Sequence, residues 1–254
     1  MKKLSYILFS ILCVDACGPD LSPDKYLVKS IVLNTYEEYS FQYAGGKLIG
    51  IEGTDSIRLS YTYYKDSVSI KHTKTGRLFQ TTRLTYSGGE LVKVKVKWLF
   101  DKIWYKDSIS FTYSGSNPNS FTYKKNNYQL VAQGENIAGI KKGVLGIGGT
   151  YAITYDQITN PFKSVYWLDQ FLMPSGFTTT LQPKSISRYF SKNNISTVSA
   201  TILGITELEK YSYIYLHGIL PKSISVNVES GKTKYENVVF IFDIQYGNKP
   251  ASGF

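Results

Sequence analysis

Apolar and polar residues alternate along much of the chain with a period of two. In the stretch "IRLSYTYY", Leu59, Tyr61 and Tyr63 fall on one side, while Arg58 and Ser60 fall on the other. Successive side chains of a β-strand point to opposite faces of the sheet. The pattern therefore predicts strands that bury an aliphatic and aromatic face and present a polar face to water.

Short turn sequences separate these alternating runs. The pair Gly45–Gly46 follows "YSFQYA", and Lys65–Asp66 follows "YTYY". Glycine reaches positive φ without steric cost, so a glycine pair between alternating runs is typical of a tight hairpin. The same design recurs further on, where "FTY" at Phe111–Tyr113 returns at Phe121–Tyr123. The first half of the chain is predicted to be a series of consecutive hairpins.

The hairpin pattern is also repeated. "YAGGKLIGI" at Tyr43–Ile51 matches "YSGGELVKV" at Tyr86–Val94, and "YKDSVSI" at Tyr64–Ile70 matches "YKDSISF" at Tyr105–Phe111. We expect equivalent structure in the two copies, with a turn at each "KD".

The second half is less regular. Gly134–Thr150 is rich in glycine and is predicted to be a loop, and "NPFKSVYWLDQFLM" predicts a helix near residues 161–173. A shorter helical turn is predicted at Ser185–Ser191. The fold class expected is mainly β: an antiparallel meander that forms a strongly curved sheet or partial barrel, with the helix near 161–173 covering its concave side. A β-sandwich is the alternative.

The N-terminal residues have the pattern of a secretory signal peptide, with Lys2 and Lys3 before an apolar run. "VDAC" is similar to a lipobox, so we expect cleavage before Cys17 and a diacylglycerol thioether on its sulfur, although Asp15 departs from the usual motif. The expected organisation is a signal peptide (1–16), a lipidated tether (17–26), one β-rich domain (27–247) and a tail (248–254). The expected location is the outer membrane, with the cell surface favoured over the periplasmic face.

Charge and aromatic content suggest two contact sites. The formal net charge is +10, and three lysines, Lys93, Lys95 and Lys97, alternate on one strand. They are a candidate anion-binding stripe for an acidic glycan or protein partner; the alternative is an ordinary solvent face that discourages edge pairing. No nucleic-acid recognition motif accompanies the charge, so nucleic acid is not expected as a partner. Tyr64 and Tyr105, predicted at hairpin tips, are candidate aromatic contacts.

Candidate catalytic and metal-binding residues are scarce. The only histidines are His72 and His217, both predicted in turns or at the surface, and no zinc or calcium motif occurs. We expect no metal, no cofactor and no enzymatic activity. A glycoside hydrolase would need two facing carboxylates; the candidates are Asp66, Asp107, Asp156 and Asp169. The "KD" position of Asp66 and Asp107 favours a role in turns.

The Tyr-x-Tyr and Phe-x-Tyr runs, each followed by a glycine turn and a leucine, resemble RHS/YD-type repeats. Over roughly residues 27–247 the chain resembles small Bacteroidota lipoproteins that carry degenerate versions of them. The resemblance implies a lipid-anchored envelope lipoprotein that acts as a non-enzymatic binding or structural module, attached to the membrane through Cys17. Two alternatives stay open: a half-barrel carrier of a lipid or other apolar ligand, and a glycan-active hydrolase.

Overall fold

The computed structural model describes residues 26–33, 37–54, 56–123, 125–142, 150–163, 183–202, 205–230 and 238–248. Strands dominate these ranges, as the alternating pattern predicts. The strands are β1 (Tyr26–Leu33), β2 (Glu37–Ala44), β3 (Lys47–Gly53), β4 (Ile57–Tyr64), β5 (Ser67–Lys74), β6 (Arg77–Ser87), β7 (Glu90–Phe100), β8 (Ile103–Ser114), β9 (Asn117–Tyr123), β10 (Asn126–Gln133), β11 (Asn136–Lys142), β12 (Thr150–Thr159), β13 (Asn193–Ile202), β14 (Ile205–Leu216), β15 (Leu220–Ser230) and β16 (Val238–Asn248).

The sixteen strands of the described ranges form one closed antiparallel barrel. Each strand pairs with the next along the chain, and β1 closes the sheet by pairing with β16, where Ile31 lies opposite Ile244. Closure gives every strand a paired neighbour on each side over at least part of its length, so no strand lies at the edge of an open sheet. In an antiparallel barrel the even-numbered strands all run in one direction, so their C-terminal ends meet at the same rim. We call the rim at which β2, β4, β6 and the other even strands end the tyrosine rim.

Tight turns between the strands explain the regular meander. Gly88 and Gly89 join β6 to β7 with φ of +58° and +86°, values that a residue with a Cβ rarely adopts. The matching pair, Gly45–Gly46, joins β2 to β3. The first copy of the repeat and its second copy therefore do share this turn, as the sequence predicts.

The predicted curvature is confirmed, but the predicted extent of closure is not. A strongly curved sheet or partial barrel was expected, whereas the sheet is fully closed between β1 and β16. The alternative β-sandwich is wrong, because no pair of separate sheets exists among the described strands. The closing contact joins residues more than two hundred positions apart (Tyr26 and Asn248), and local alternation carries no information on such a contact.

The helix assignments have mixed outcomes. Residues 161–163 of the predicted covering helix form a turn, and residues 164–182 lie outside the described part of the chain. The shorter helix is confirmed as α1 (Pro183–Phe190). The predicted loop Gly134–Thr150 is wrong at its start, since β11 occupies Asn136–Lys142. No helix in the described ranges has the length and apolar character needed to cross a membrane.

Candidate functional site

The inward-facing positions of the barrel are predominantly apolar. Cross-strand registers align one inner row around six neighbouring strands; its members are Tyr63, Val68, Leu84, Val94, Ile109 and Tyr123. Val94 is 1% exposed and Ile109 is fully buried. Side chains that pack this tightly exclude water, so this part of the lumen is a hydrophobic core.

Helix α1 lies inside the barrel, because its side chains touch strands far apart around the wall. The ring of Phe190 meets that of Phe111 on β8, with centroids 5.1 Å apart. The hydroxyls of Tyr189 and Tyr86 on β6 are 3.1 Å apart, and the guanidinium of Arg188 lies 4.7 Å from the ring centre of Tyr211 on β14. A helix on the outside of the wall could not reach β6, β8 and β14 together. The lumen is therefore filled by α1 at this level.

Buried polar groups fix the C-terminal end of α1 to the wall. The Asn160 side-chain amide donates to the carbonyls of Arg188 and Ser191, at 3.0 and 3.3 Å. The Ser191 hydroxyl accepts from the amide of Ile137 at 3.0 Å and donates to the Tyr155 hydroxyl at 2.8 Å. The last carbonyls of a helix have no intrahelical partner, and here Asn160 supplies one.

One small cavity lies beside the described part of the helix. A cavity lined by residues such as Phe162, Arg188 and Tyr211 leaves about 20 Å³ free. A single water needs about 10–15 Å³ by the same kind of measure. This cavity has room for about one water molecule and none for a lipid or sugar.

Tyrosines line the tyrosine rim, at which the even-numbered strands end. Most even strands carry an inward tyrosine near their C-terminal end, and its hydroxyl donates to a carbonyl of another strand at 2.6–3.0 Å. The pairs are Tyr43 with Val28, Tyr63 with Leu48, Tyr113 with Leu91, Tyr155 with Ile137, Tyr213 with Ile195, and Tyr246 with Pro221. Hydrogen bonding lets each ring be partly buried without an unsatisfied hydroxyl. These rim positions take six of the 22 tyrosines of the chain.

The tyrosine rim predicts how the protein unfolds in alkali. Burial raises the pKa of Tyr43, Tyr113 and Tyr155 to about 12. Because the folded pKa exceeds the unfolded one of about 10, the neutral form is favoured in the folded state. Stability should be fully present below pH 10 and be lost as the pH rises through 12. Circular dichroism and the ultraviolet absorbance of tyrosinate, recorded on the same samples, would follow this loss.

Two variants separate the rim from ordinary tyrosines. Tyr113→Phe should make the alkaline loss of stability less steep. Tyr64→Phe changes an exposed tyrosine that is also on an even-numbered strand, and it should leave the alkaline loss of stability unchanged. Equal effects of the two variants would contradict a special role of the rim.

The outer wall of the barrel is polar where β4–β8 pair. Two outward rows run across these strands: Ser60, Lys71, Thr81, Lys97 and Lys106 in one, and Thr62, Ser69, Arg83, Lys95 and Ser108 in the other. Neither row contains a carboxylate. In the registers, Arg83 lies directly opposite Lys95 and Lys97 directly opposite Lys106, and like charges in this position destabilise a sheet.

The predicted lysine stripe lies within this wall. Lys95 and Lys97 are exposed and Lys93 is half-buried, all on the outward side of β7. The sequence did not reveal that Lys71, Arg83 and Lys106 lie beside them, because cross-strand register is set by turn geometry and bulges. Anion binding at the stripe stays a prediction.

The two predicted contact tyrosines lie at different ends of the barrel. Tyr64 is 58% exposed at the end of β4, beside the Lys65–Asp66 turn. Tyr105 is 41% exposed within β8 and stacks on Trp98, with ring centroids 5.8 Å apart. Their role as aromatic contacts is a prediction. Lipidation of Cys17 is also a prediction, and it lies outside the described residues.

The candidate catalytic residues do not form a site. The prediction of a surface His72 is wrong: it is 2% exposed on the inner face of β5, where burial lowers its pKa to about 3. His217 does lie in a turn, with φ of +51°. Within the described ranges no group of His, Cys, Asp and Glu side chains could hold a metal ion.

The candidate carboxylates are also separated. Asp66 is exposed in a turn, and Asp156 hydrogen-bonds to the Tyr215 hydroxyl. The predicted turn at Asp107 is wrong, since this residue lies within β8 and its carboxylate accepts from the Ser108 amide. Asp169 lies outside the described residues. Because the three described carboxylates lie on different elements, the β4–β5 turn, β8 and β12, they give no support to a paired hydrolytic mechanism.

The site and fold together define a closed antiparallel barrel with an apolar, helix-filled lumen. Two crystal structures are similar to it over most of their length. A porin-like protein from Bacteroides uniformis is 13% identical, with a TM-score of 0.55, over 88% of this chain and 96% of that one. A porin-like protein from Bacteroides vulgatus is 12% identical, with a TM-score of 0.50, over 87% and 98%. No known family matches the sequence, and no curated protein does.

These comparisons correct the family expected from the sequence. The chain shares its fold with porin-like barrels, and the resemblance to lipoproteins with RHS/YD-type repeats is wrong. The motifs that suggested it, alternating tyrosines followed by glycine turns, are what any long antiparallel meander requires. In this chain six of the tyrosines hydrogen-bond at the barrel rim.

The expected function is corrected with it. A lipid-anchored binding or structural lipoprotein was predicted, with a half-barrel carrier or a glycan-active hydrolase as alternatives; the likeness to porin-like barrels contradicts this interpretation. The carrier also fails on geometry, because a closed sheet whose lumen holds α1 offers no open concave face.

Proposed function

We propose that this protein is a porin-like barrel that is associated with the outer membrane and has no enzymatic activity. Its lumen stays closed, and its outer wall faces water instead of lipid. The association with the outer membrane is supported by the likeness to porin-like proteins of Bacteroides. The closed state is supported by α1, which occupies the lumen between β6, β8 and β14. The protein would then act at the membrane surface and conduct no solute.

One observation carries the proposal: the barrel is apolar inside and polar outside. A barrel that spans a bilayer shows the reverse arrangement, with an apolar outer band about 25 Å tall and a polar interior. Here neighbouring residues of β7 alternate in the opposite sense, since Val94 is buried in the lumen and Lys95 points outward. A lysine or arginine on the lipid face costs about 2–4 kcal/mol at the bilayer midplane. The outward rows of β4–β8 contain five such residues.

A transmembrane channel is the second candidate, and the closed sixteen-strand architecture favours it. Barrels of this strand number are wide enough for an aqueous channel when the lumen is empty. For this chain to conduct, α1 would have to leave the lumen and the outward lysines would have to be shielded from lipid. Both requirements are open to a direct test.

Planar-bilayer recording and ultracentrifugation distinguish the two candidates. We expect the protein purified as Cys17→Ser, which cannot carry a lipid on this residue, to stay in solution without detergent and to produce no conductance steps, under conditions in which a trimeric porin conducts. Stepwise conductance, or a requirement for detergent throughout purification, would overturn the proposal and favour the channel.

A further inference from the structure

The hairpin that joins β7 to β8 projects beyond its neighbours. Pairing of β7 with β6 ends at Trp98, and pairing of β8 with β9 begins only at Ile109. Between these points the two strands pair with each other alone, up to a two-residue turn at Asp101–Lys102 in which both φ angles are positive. The hairpin is therefore a two-stranded arm at the rim opposite the tyrosine rim.

The arm is apolar at its end and on both faces. Of the eleven large hydrophobic residues exposed in the described part of the chain, five belong to it; they are Leu99, Phe100, Ile103, Trp104 and Tyr105. Phe100 and Ile103 are 57% and 56% exposed and lie opposite each other beside the turn. Exposed apolar groups collected in one place indicate an interaction surface.

Basic residues surround this apolar end. Lys97 and Lys106 are cross-strand neighbours at the base of the arm, and Lys102 lies in its turn. The hairpin also carries two carboxylates, Asp101 in the turn and the half-buried Asp107 at the base. The Lys97 ammonium lies 5.0 Å from the centre of the Trp104 ring. The row of outward cations continues from Lys97 into the wall. Apolar and aromatic side chains with lysines behind them are the composition that favours the interface of an anionic membrane.

We propose that the β7–β8 hairpin docks the barrel onto an anionic lipid surface, with Phe100 and Ile103 entering the interface and Lys97 and Lys106 contacting lipid phosphates. The inference rests on the proposed function, in which the barrel itself stays outside the bilayer. Charge complementarity favours this partner: directly opposed cations, which weaken an isolated sheet, are neutralised when they face an anionic surface. Docking by the arm would hold the barrel with its tyrosine rim away from the membrane.

Vesicle co-sedimentation tests the inference. We expect the full chain with Cys17→Ser, so that no lipid anchor contributes, to bind vesicles of phosphatidylcholine with phosphatidylglycerol, and to bind pure phosphatidylcholine vesicles much more weakly. The double variant Phe100→Ser/Ile103→Ser should lose at least about tenfold in affinity. The matched control is Ile214→Ser, which removes a 66% exposed isoleucine from β14, far from the arm; its binding should equal that of the wild type.

The charge component has its own pair of variants. Lys97→Gln/Lys106→Gln should lose about fivefold per lysine at low salt, and most of that difference should disappear at high salt. Lys222→Gln, an exposed lysine on β15, is the control. Undiminished binding by either hairpin variant would overturn the inference, as would failure of the wild type to bind anionic vesicles.

Further outcomes separate this inference from its competitors. Dye leakage or conductance in the same vesicles would overturn the closed barrel, whereas binding without leakage that is equal in all variants would overturn only the hairpin. Lipid-free dimerisation that is lost in Phe100→Ser/Ile103→Ser would assign the arm to a second copy of the chain. Tight binding of soluble heparin that depends on the lysines and not on Phe100 and Ile103 would assign an acidic glycan instead.

Discussion

Replacing Val94 by lysine should unfold most of the protein at neutral pH, whereas replacing its neighbour Lys95 by valine should leave the stability nearly unchanged. Val94 is 1% exposed in the inner row, between Leu84 and Ile109. An unpaired ammonium in this core has no counter-charge, so Val94→Lys should cost about 4 kcal/mol or more, a large part of the stability of an ordinary domain. Lys95→Val removes one of two opposed cations, so we expect a change within about 0.5 kcal/mol.

Urea denaturation followed by tryptophan fluorescence measures both variants. The pair is informative because a bilayer-spanning, water-filled barrel makes the opposite prediction. In such a barrel Val94→Lys would line a polar channel and be tolerated, and Lys95→Val would stabilise the protein in lipid. A folded Val94→Lys protein with a wild-type unfolding midpoint would therefore contradict the packed lumen, and with it the proposed closed state.

The predictions that succeed are those that depend on neighbouring residues. Alternation placed Leu59 and Tyr61 on the inner face, and the glycine pairs located the β2–β3 and β6–β7 turns. Both features are encoded within a few residues, because side-chain direction has a period of two and positive φ favours glycine. The closure between β1 and β16 has no such local signature.

The two copies of "YKDS" show why local identity is not enough. At Tyr64 the motif ends β4 and turns at Lys65–Asp66, whereas at Tyr105 it runs straight through β8. In the second copy the chain has already turned at Asp101–Lys102, and Tyr105 pairs with Trp98. The partner strand decides the outcome, so tertiary pairing overrides turn propensity.

Which residues fill the lumen could also not be predicted from the sequence. The short helix was predicted, but its position inside the barrel depends on contacts such as Tyr86 with Tyr189, which are 103 positions apart. His72 was misplaced for the same reason: its neighbours in sequence are polar, and it is buried because it lies on the inward face of the closed sheet, opposite Leu59 and Gln80. The alternation along β5 does indicate that His72 is buried, because it falls in phase with Val68 and Ile70.

Asn160→Asp should release the C-terminal end of α1 and make the stability of the protein depend on acid. Asn160 is 7% exposed, and its amide nitrogen donates to the carbonyls of Arg188 and Ser191 while its oxygen accepts from the Phe162 amide. Aspartate has the same shape and keeps the acceptor, but it loses both donated bonds and places negative charge against two carbonyl oxygens. We expect a loss of about 3 kcal/mol at neutral pH.

The pH dependence identifies the cause of that loss. Burial against carbonyl oxygens disfavours the carboxylate, so the pKa of the introduced group in the folded state lies above its ordinary value of about 3.9. The folded variant then binds a proton more tightly than the unfolded chain does. Its deficit relative to the wild type should be full at neutral pH and shrink as the pH falls through the folded pKa, because the protonated carboxyl can donate one hydrogen bond again.

Hydrogen exchange and urea denaturation at neutral and acidic pH measure the effect, with Asn127→Asp as the control. Asn127 is exposed on β10 and only accepts, from the Thr122 hydroxyl at 2.7 Å, so its replacement should change stability by less than about 0.5 kcal/mol at either pH. Faster exchange confined to the amides of α1 in Asn160→Asp would mean that the helix opens while the wall stays closed. A deficit that is the same at both pH values would contradict the role given to the Asn160 amide.

Release of α1 can also be tested by conductance in bilayers. If Asn160→Asp conducts, the helix is a plug in a barrel that is able to conduct. If it does not conduct, the packed side chains of the wall are sufficient to close the lumen.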